Sequence, residues 1–392
     1  MEPSYLAKLT SAYHHIFREY PDIIVRAPGR INLMGGHVDY NGGKVLPMAI
    51  NRHIYVAAGR SRGTVADFYA LDLNKRCCFP MASPEPGRDR DLKWADYIKG
   101  VAQQLASKGA EPGPCRGVVG GDLQREAGLA SSAAMEVAVA LAMHRLFDLK
   151  ISREDLADAA YRAESEFVGV HCGIMDQYAA LFCRKNHFLW LDCLTLKKEH
   201  IPWKIEDSQL LICTAPVKRA LAASAYNRRR EECERIVHSL NKKYREISTL
   251  RNLGPEELGD MERLLPPPLF RRCRHVVSEM KRVDQATLSL KEADALRLGT
   301  LMNASYESLR DDYEVTIPPL DLLFKKLVQE PGVHGARLTG AGFGGCLIIL
   351  TDRDRTGAME ENIGQMALEA FGSPVEIFSS APSDGAEVLQ VK

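Results

Sequence analysis

Apolar and polar positions along the chain recur in two rhythms, and the switches between them mark the elements. Leu6, Leu9, Tyr13 and Phe17 return three or four residues apart, which predicts a helix over residues 4–20. IIVRAPGRINLMGG, from Ile23, reads as a strand, a Pro-Gly turn and a second short strand. VLPMAINRHIYVAAGRS continues with apolar runs of strand length. Residues 80–92, rich in Pro, Arg and Asp, read as a surface loop. Helical period returns in DLKWADYIKGVAQQLASKG, and CRGVVGGDL is a short strand. A further helix is expected from Arg153 to Phe167, with Ser152 and Asp155 as a capping-box variant. HFLWLDC and QLLICTA predict buried strands, and Asn227 to Leu253 a charged helix with a solvated face. PEEL and LLPPPLF interrupt, helices follow to about Gln329, and GVHGARLTGAGFGGCLIIL predicts turn, strand, glycine-rich loop and strand. The last residues, SSAPSDGAEVLQVK, read as a tail or an edge element.

Length changes this picture, because 392 residues exceed one typical hydrophobic core. Two domains are expected, 1–205 and 206–392, although no linker composition marks the boundary. Lys+Arg and Asp+Glu balance at 51 each, which gives no basic excess for nucleic acid and no acidic excess for disorder. The ten cysteines are scattered, and the close pair Cys77-Cys78 has neither zinc nor redox spacing, so free thiols in a cytoplasmic protein are expected. The first residues are amphipathic and charged rather than a signal peptide, and no window reaches the roughly 18 apolar residues of a membrane span.

The candidate chemistry starts with REAGLASSAAMEVAVALA, Arg125 to Ala142. Small residues opening a helix let backbone N–H groups converge on an anion at the positive end of the helix dipole. They are equally ordinary capping residues, so this stretch alone leaves open a phosphate loop or a packed helix start.

Three segments in order resemble the motifs of the GHMP small-molecule kinases: APGRINLMGGHVDYNGGKVLPMAI, GLASSAAMEVA and LTGAGFGGC. CGIMDQ, SLRDDYEV, LAASAYNRRREECE and KWADYIKGV are similar to the galactokinase branch, so the resemblance spans about residues 23–350. It implies an α+β, two-domain GHMP kinase fold: a ribosomal S5 domain 2-like N-terminal domain, an α/β C-terminal domain, and the active site in the cleft between them. It further implies an ATP- and magnesium-dependent kinase acting on the anomeric C1 hydroxyl of galactose or a galactose-like sugar. The expected partners are the sugar and ATP, with no nucleic acid and no membrane, and the expected state is a monomer.

Carried over residue by residue, the resemblance makes Asp176 the catalytic carboxylate and Arg30 its cationic neighbour. Ser132 and Glu164 match the magnesium-ligating pair; an exposed helix carboxylate is the plainer reading of Glu164. Gly128, Leu129, Ser131, Ser132 and Ala133 match the phosphate loop, Trp94 and Tyr97 the adenine pocket, and Gly340 and Gly342 the nucleotide-facing glycine loop with Gly344 and Gly345. Aromatics three apart on a helix are also common core residues. Gly36, His37, Asp39, Gly173 and Tyr226 match sugar-pocket positions.

Two departures stand out. Galactokinases resemble GEHxDYN where this chain reads GGHVDYN, so Gly36 replaces a Glu that reaches toward the sugar C6 hydroxyl. Galacturonate or L-arabinose fits that change, as does galactose with another partner for C6. In the phosphate loop, Glu126 stands for a glycine and Ala130 for a serine. A non-catalytic sugar sensor is the reading from a different class. Asp176, Arg30, Ser132 and Glu164 all being present argues against it.

Overall fold

A computed structural model describes residues 2–125, 127–216, 222–241 and 247–391. The helix expected from the first apolar stripe runs over α1 (Glu2–Phe17), with Leu9 and Tyr13 buried. Strands β1 (Ile23–Asn32), β2 (Lys44–Val45), β3 (Pro47–Arg60), β4 (Val65–Ala70) and β5 (Lys75–Pro80) follow. After α2 (Lys93–Ser107) and β6 (Cys115–Gly121) come α3 (Ser131–Leu146), α4 (Arg153–Arg162) and α5 (Met175–Phe182). Strands β7 (His187–Asp192), β8 (Lys198–Pro202) and β9 (Ser208–Thr214) lead to α6 (Ala222–Asn241), α7 (Leu258–Leu264), α8 (Pro267–Glu292), α9 (Ala295–Asp311) and α10 (Pro318–Leu327). β10 (Val333–Thr339), β11 (Cys346–Asp352), α11 (Thr356–Phe371), β12 (Ile377–Ser380) and β13 (Glu387–Val391) complete the described chain.

Three sheets result, ordered β13-β1-β3-β6-β4-β5, β2-β7-β8 and β10-β11-β9-β12. The expected division at 205/206 falls between β8 and β9, where the chain leaves the first two sheets for the third. β13 then returns to pair with β1, so the last residues form an edge strand rather than a tail. β11 lies between β10 and β9 with Cys346 to Thr351 buried. Ile349→Ala there should lower stability by about 2–5 kcal/mol. A urea midpoint close to that of the parent chain would contradict this placement.

The Pro-Gly turn expected in the first strand does not form. β1 runs through it, and its register against β3 shifts between Pro28 and Arg30. β3 advances four residues, from His53 to Ala49, while β1 advances two, and the two extra residues of β3 are absorbed as a bulge that leaves β1 unbroken. Gly29 makes room for this: a Cβ there would stand 2.5 Å from Leu123 and 2.7 Å from the Leu129 carbonyl oxygen. That carbonyl accepts the Arg30 N–H at 3.0 Å, so the bulge fastens the Gly128 loop to β1.

α3 is apolar almost all round and packs against β1, β3, α2, α4 and α5, as expected of a helix buried on every side. Its Ala and Val side chains let these neighbours approach closely. The Ser152 cap forms as expected, its hydroxyl accepting the Asp155 N–H at 3.0 Å. The following helix is shorter than its pattern predicts. α4 gives way to a π-helical turn over Ala163–Val168, a winding common at functional sites, and Glu164 sits on it.

The charged helix is also shorter than its pattern, because Leu250–Asn252 forms a separate turn behind Thr249. Nor is its charged face wholly solvated. Glu232 is buried between Arg229 and Arg272, at 3.0 and 2.8 Å, and Arg229 donates to the Tyr313 carbonyl at 2.6 Å. Paired charges can be taken out of water in this way, and a charge pattern alone does not distinguish them from a wet surface. α9 meets β10 through two glycines: a Cβ on Gly299 would stand 2.1 Å from the His334 carbonyl oxygen. The close approach fixes where β10 delivers Arg337. No helix among the described residues is long and apolar enough to cross a membrane, and no disulfide links the cysteines among them.

Candidate active site

A cavity of about 610 Å³ collects residues from β1, α2, α3, the π turn, α5, α6 and β10. That is within the usual range for a small-molecule site. Arg30 crosses it. Its Nε donates to Asp176 Oδ1 at 2.7 Å and its Nη2 to Oδ2 at 2.6 Å, a bidentate pair, while Nη1 donates to the Gly128 carbonyl at 2.6 Å. One side chain thereby ties the carboxylate of α5 to the loop before α3. Asp176 stands in the first turn of α5, where the helix dipole favours negative charge, and its side chain stays 24% exposed.

Beside this pair, Ser132 in the first turn of α3 donates to Glu164 Oε1 at 2.8 Å. Glu164 is buried, not the exposed carboxylate of its plainer reading, whereas Glu166 is exposed. Gln177 donates to Glu164 Oε2 at 2.7 Å and to Glu136 Oε2 at 2.9 Å. Burial raises the Glu164 carboxyl above its usual value and holds that of Glu136 well above it. A hydroxyl and a buried carboxylate facing one cavity form a hard-oxygen donor set. These oxygens are of the kind magnesium takes, so the residues present fit that ion.

At the start of α3, Gly128 and Ala130 both adopt positive φ, 87° and 61°. Ala130 lines the cavity in this left-handed conformation, which costs a residue with a Cβ and persists where the surroundings impose it. Ser131 and Ser132 line the cavity with it. Leu129 and Ala133 do not: their side chains are buried in the core, which leaves only their backbone to face a ligand. Glu126 lies outside the described residues. Trp94 and Tyr97 on α2 line the cavity, and the Trp94 Nε1–H is buried without a partner among the described residues. Gly340 lines the cavity, but Gly342 packs against Val315, whose carbonyl lies 2.6 Å from where its Cβ would stand. Gly344 and Gly345 have positive φ and turn the chain from β10 into β11 without lining the cavity.

The five sugar-pocket candidates, Gly36, His37, Asp39, Gly173 and Tyr226, all line the same cavity. His37, at φ 59°, is buried with Nδ1 2.9 Å from the Tyr40 hydroxyl, and Nε2 has no partner among the described residues. Burial lowers its pKa to about 3, so the ring is neutral. Asp39 is pushed up to about 6 by burial and then by the charge of Asp176. Gly173 lies against it: a Cβ there would stand 2.0 Å from Asp39 Oδ2, so a larger residue at 173 would have to push the Asp39 carboxylate aside.

Some residues of the site were not found from the sequence. Glu136 and Gln177 sit inside matched motifs but carry no chemistry that spacing reveals. Arg337 lines the cavity from within an apolar strand. An arginine in a strand otherwise built for burial was the available signal.

Sequence comparisons match the galactokinase galactose-binding signature over residues 11–60, the GHMP kinase N-terminal domain over 96–184 and the GHMP kinase C-terminal domain over 287–366. The galactokinase of Roseiflexus sp. (strain RS-1) is 40% identical over 378 residues, covering 96% of each chain. That of Thermotoga maritima is 38% identical over 367 residues, 93% of this chain and 99% of the relative. The crystal structure of Lactococcus lactis galactokinase, complexed with galactose, superposes with a TM-score of 0.93 at 32% identity, covering 98% of this chain and 99% of that one. With family matches along the sequence and a superposition over nearly the whole chain, the chain belongs to the galactokinase family of the GHMP kinases.

Proposed function

We propose that this protein transfers the γ-phosphoryl group of ATP to the anomeric C1 hydroxyl of galactose or a galactose-like sugar. The observation that carries the reading is the bidentate Arg30–Asp176 pair, which shares one cavity with the sugar-side residues and the loop opening α3. In this reading the sugar C1 oxygen attacks the γ-phosphorus, its proton passes to Asp176, and the bond to the β–γ bridging oxygen breaks to release ADP. Arg30 positions the carboxylate and offsets charge as it shifts toward the phosphoryl group. N–H groups at the start of α3 point toward the triphosphate, and Trp94 and Tyr97 take the adenine. Asp39 and the neutral His37 hold ring hydroxyls by hydrogen bonds.

Ser132 and Glu164 would hold magnesium, which supplies charge neutralisation on the polyphosphate when bound. Glu164→Gln keeps the shape and removes the anion. It should raise the magnesium concentration for half-maximal rate by about tenfold or more. An unchanged magnesium dependence would place the ion elsewhere. The transfer itself is tested by ADP release with galactose, galacturonate and L-arabinose, each with and without magnesium. Sugar-dependent ADP release supports the reading, and none with any of the three contradicts it.

A further inference from the structure

One buried amide stands between two carboxylates. Gln177 is fully enclosed, and its Nε2 donates to Glu164 Oε2 at 2.7 Å and to Glu136 Oε2 at 2.9 Å. Its own Oε1 has no partner among the described residues, and neither has Glu136 Oε1. An amide turned the other way would set its oxygen against both carboxylates. The side chain is therefore held by its two N–H bonds, with its carbonyl oxygen left buried and unmatched.

Those two bonds close a ring. Ser132 and Glu136 lie four residues apart on α3, neighbours on one face of the helix. Ser132 donates to Glu164 Oε1 at 2.8 Å, Gln177 joins Glu164 Oε2 to Glu136, and one turn of α3 completes the circuit. The last torsion of a glutamate is otherwise broad and roughly two-fold. Here Oε2 is turned toward Gln177 and the Cys172 thiol, 3.6 Å away, which leaves Oε1 beside the serine. A hydroxyl, an amide and a thiol thus fix this carboxylate, and each is a neutral donor. Lysine or arginine in the place of Gln177 would hold it as firmly but would offset the negative charge that a divalent cation takes as a ligand. Gln177 also follows Asp176 in the first turn of α5, where successive side chains diverge by about 100°. One helix end therefore sets Asp176 on Arg30 and Gln177 on Glu164.

We propose that Gln177 is a positioning residue for the metal: its amide, backed by Glu136, holds Glu164 with Oε1 presented beside Ser132 and with the carboxylate charge intact. The inference rests on the assignment of Ser132 and Glu164 to magnesium above and deepens it. Through the same turn of α5, the carboxylate for the ion keeps a fixed spacing from the carboxylate for the sugar hydroxyl.

The test is the affinity of the enzyme–ADP complex for Mn²⁺, read from the electron spin resonance of the free ion, in the parent, Gln177→Met, Glu136→Leu and Glu164→Gln. Methionine keeps the length of the side chain and removes the amide. Gln177→Met should weaken Mn²⁺ binding by about tenfold, the lower end of what partners that orient a metal ligand contribute. The KM for sugar should stay near the parent value. Glu136→Leu removes only the acceptor behind the amide and should weaken binding by about fivefold, the scale of one neutral hydrogen bond. If Gln177→Met does not fold, Glu136→Leu decides alone. Parent-like Mn²⁺ affinity in the deciding variant overturns the inference. So does a loss shared equally by Mn²⁺ and sugar with a lowered melting temperature, which is the result of a packing defect. Glu164→Gln separates the two levels. If it weakens Mn²⁺ binding and the deciding variant does not, Glu164 stands as a ligand and only the role of Gln177 falls. Parent-like affinity in Glu164→Gln removes the metal assignment and this inference with it.

Discussion

Asp176→Asn should lower kcat by about 10³-fold, within the range attributed to a positioned general base. Asparagine keeps the size of the side chain and its place in the first turn of α5, and loses the ability to take a proton from the sugar hydroxyl. The loss should fall on kcat, with the KM for ATP changed only a few-fold, because the proposed mechanism seats the triphosphate against α3 rather than α5. Calorimetric binding of sugar and a thermal melt separate a lost step from a lost fold. Activity within tenfold of the parent would mean that the proton leaves by another route and that Asp176 only orients the sugar.

Arg30→Lys is the second large effect expected, about 100-fold in kcat. Lysine keeps the charge but not the fork, so it cannot hold both Asp176 oxygens while also donating to the Gly128 carbonyl. The carbonyl would be left buried without its partner, and the loop before α3 would lose its tie to α5. The fall in kcat should come with a rise in the KM for ATP, which distinguishes it from Asp176→Asn. A variant that loses melting temperature but keeps its rate would reduce the pair to a structural ion bridge.

What the sequence made legible follows from how local each signal is. The motifs around Arg30, Ser132 and Asp176 are short and rigid, and the structure brings them into one cavity from three distant segments. The strand through Pro28 and Gly29 read as a turn because Pro-Gly is a turn signal, and only the Leu129 carbonyl lying against Gly29 shows why a bulge wins. The buried face of α6 was hidden because Glu232 finds its partner Arg272 forty residues away. α11 went unread within a stretch that holds no motif. Leu129 and Ala133 show the limit of carrying roles over by position: they lie in the loop and in the first turn of α3, yet both side chains are buried. Arg337 was invisible for a related reason. The sequence places Arg337 three hundred residues from Gly36, and only the fold shows that its guanidinium lies against that glycine.

The most direct test of the account is the identity of the phosphorylated product by phosphorus and carbon NMR, using the parent enzyme with ATP, magnesium and each of galactose, galacturonate and L-arabinose. Phosphorus coupled to the anomeric carbon, with no such product from Asp176→Asn, is the predicted result. Phosphate on any other hydroxyl, or undiminished anomeric product from Asp176→Asn, would contradict the roles assigned to Asp176 and Arg30.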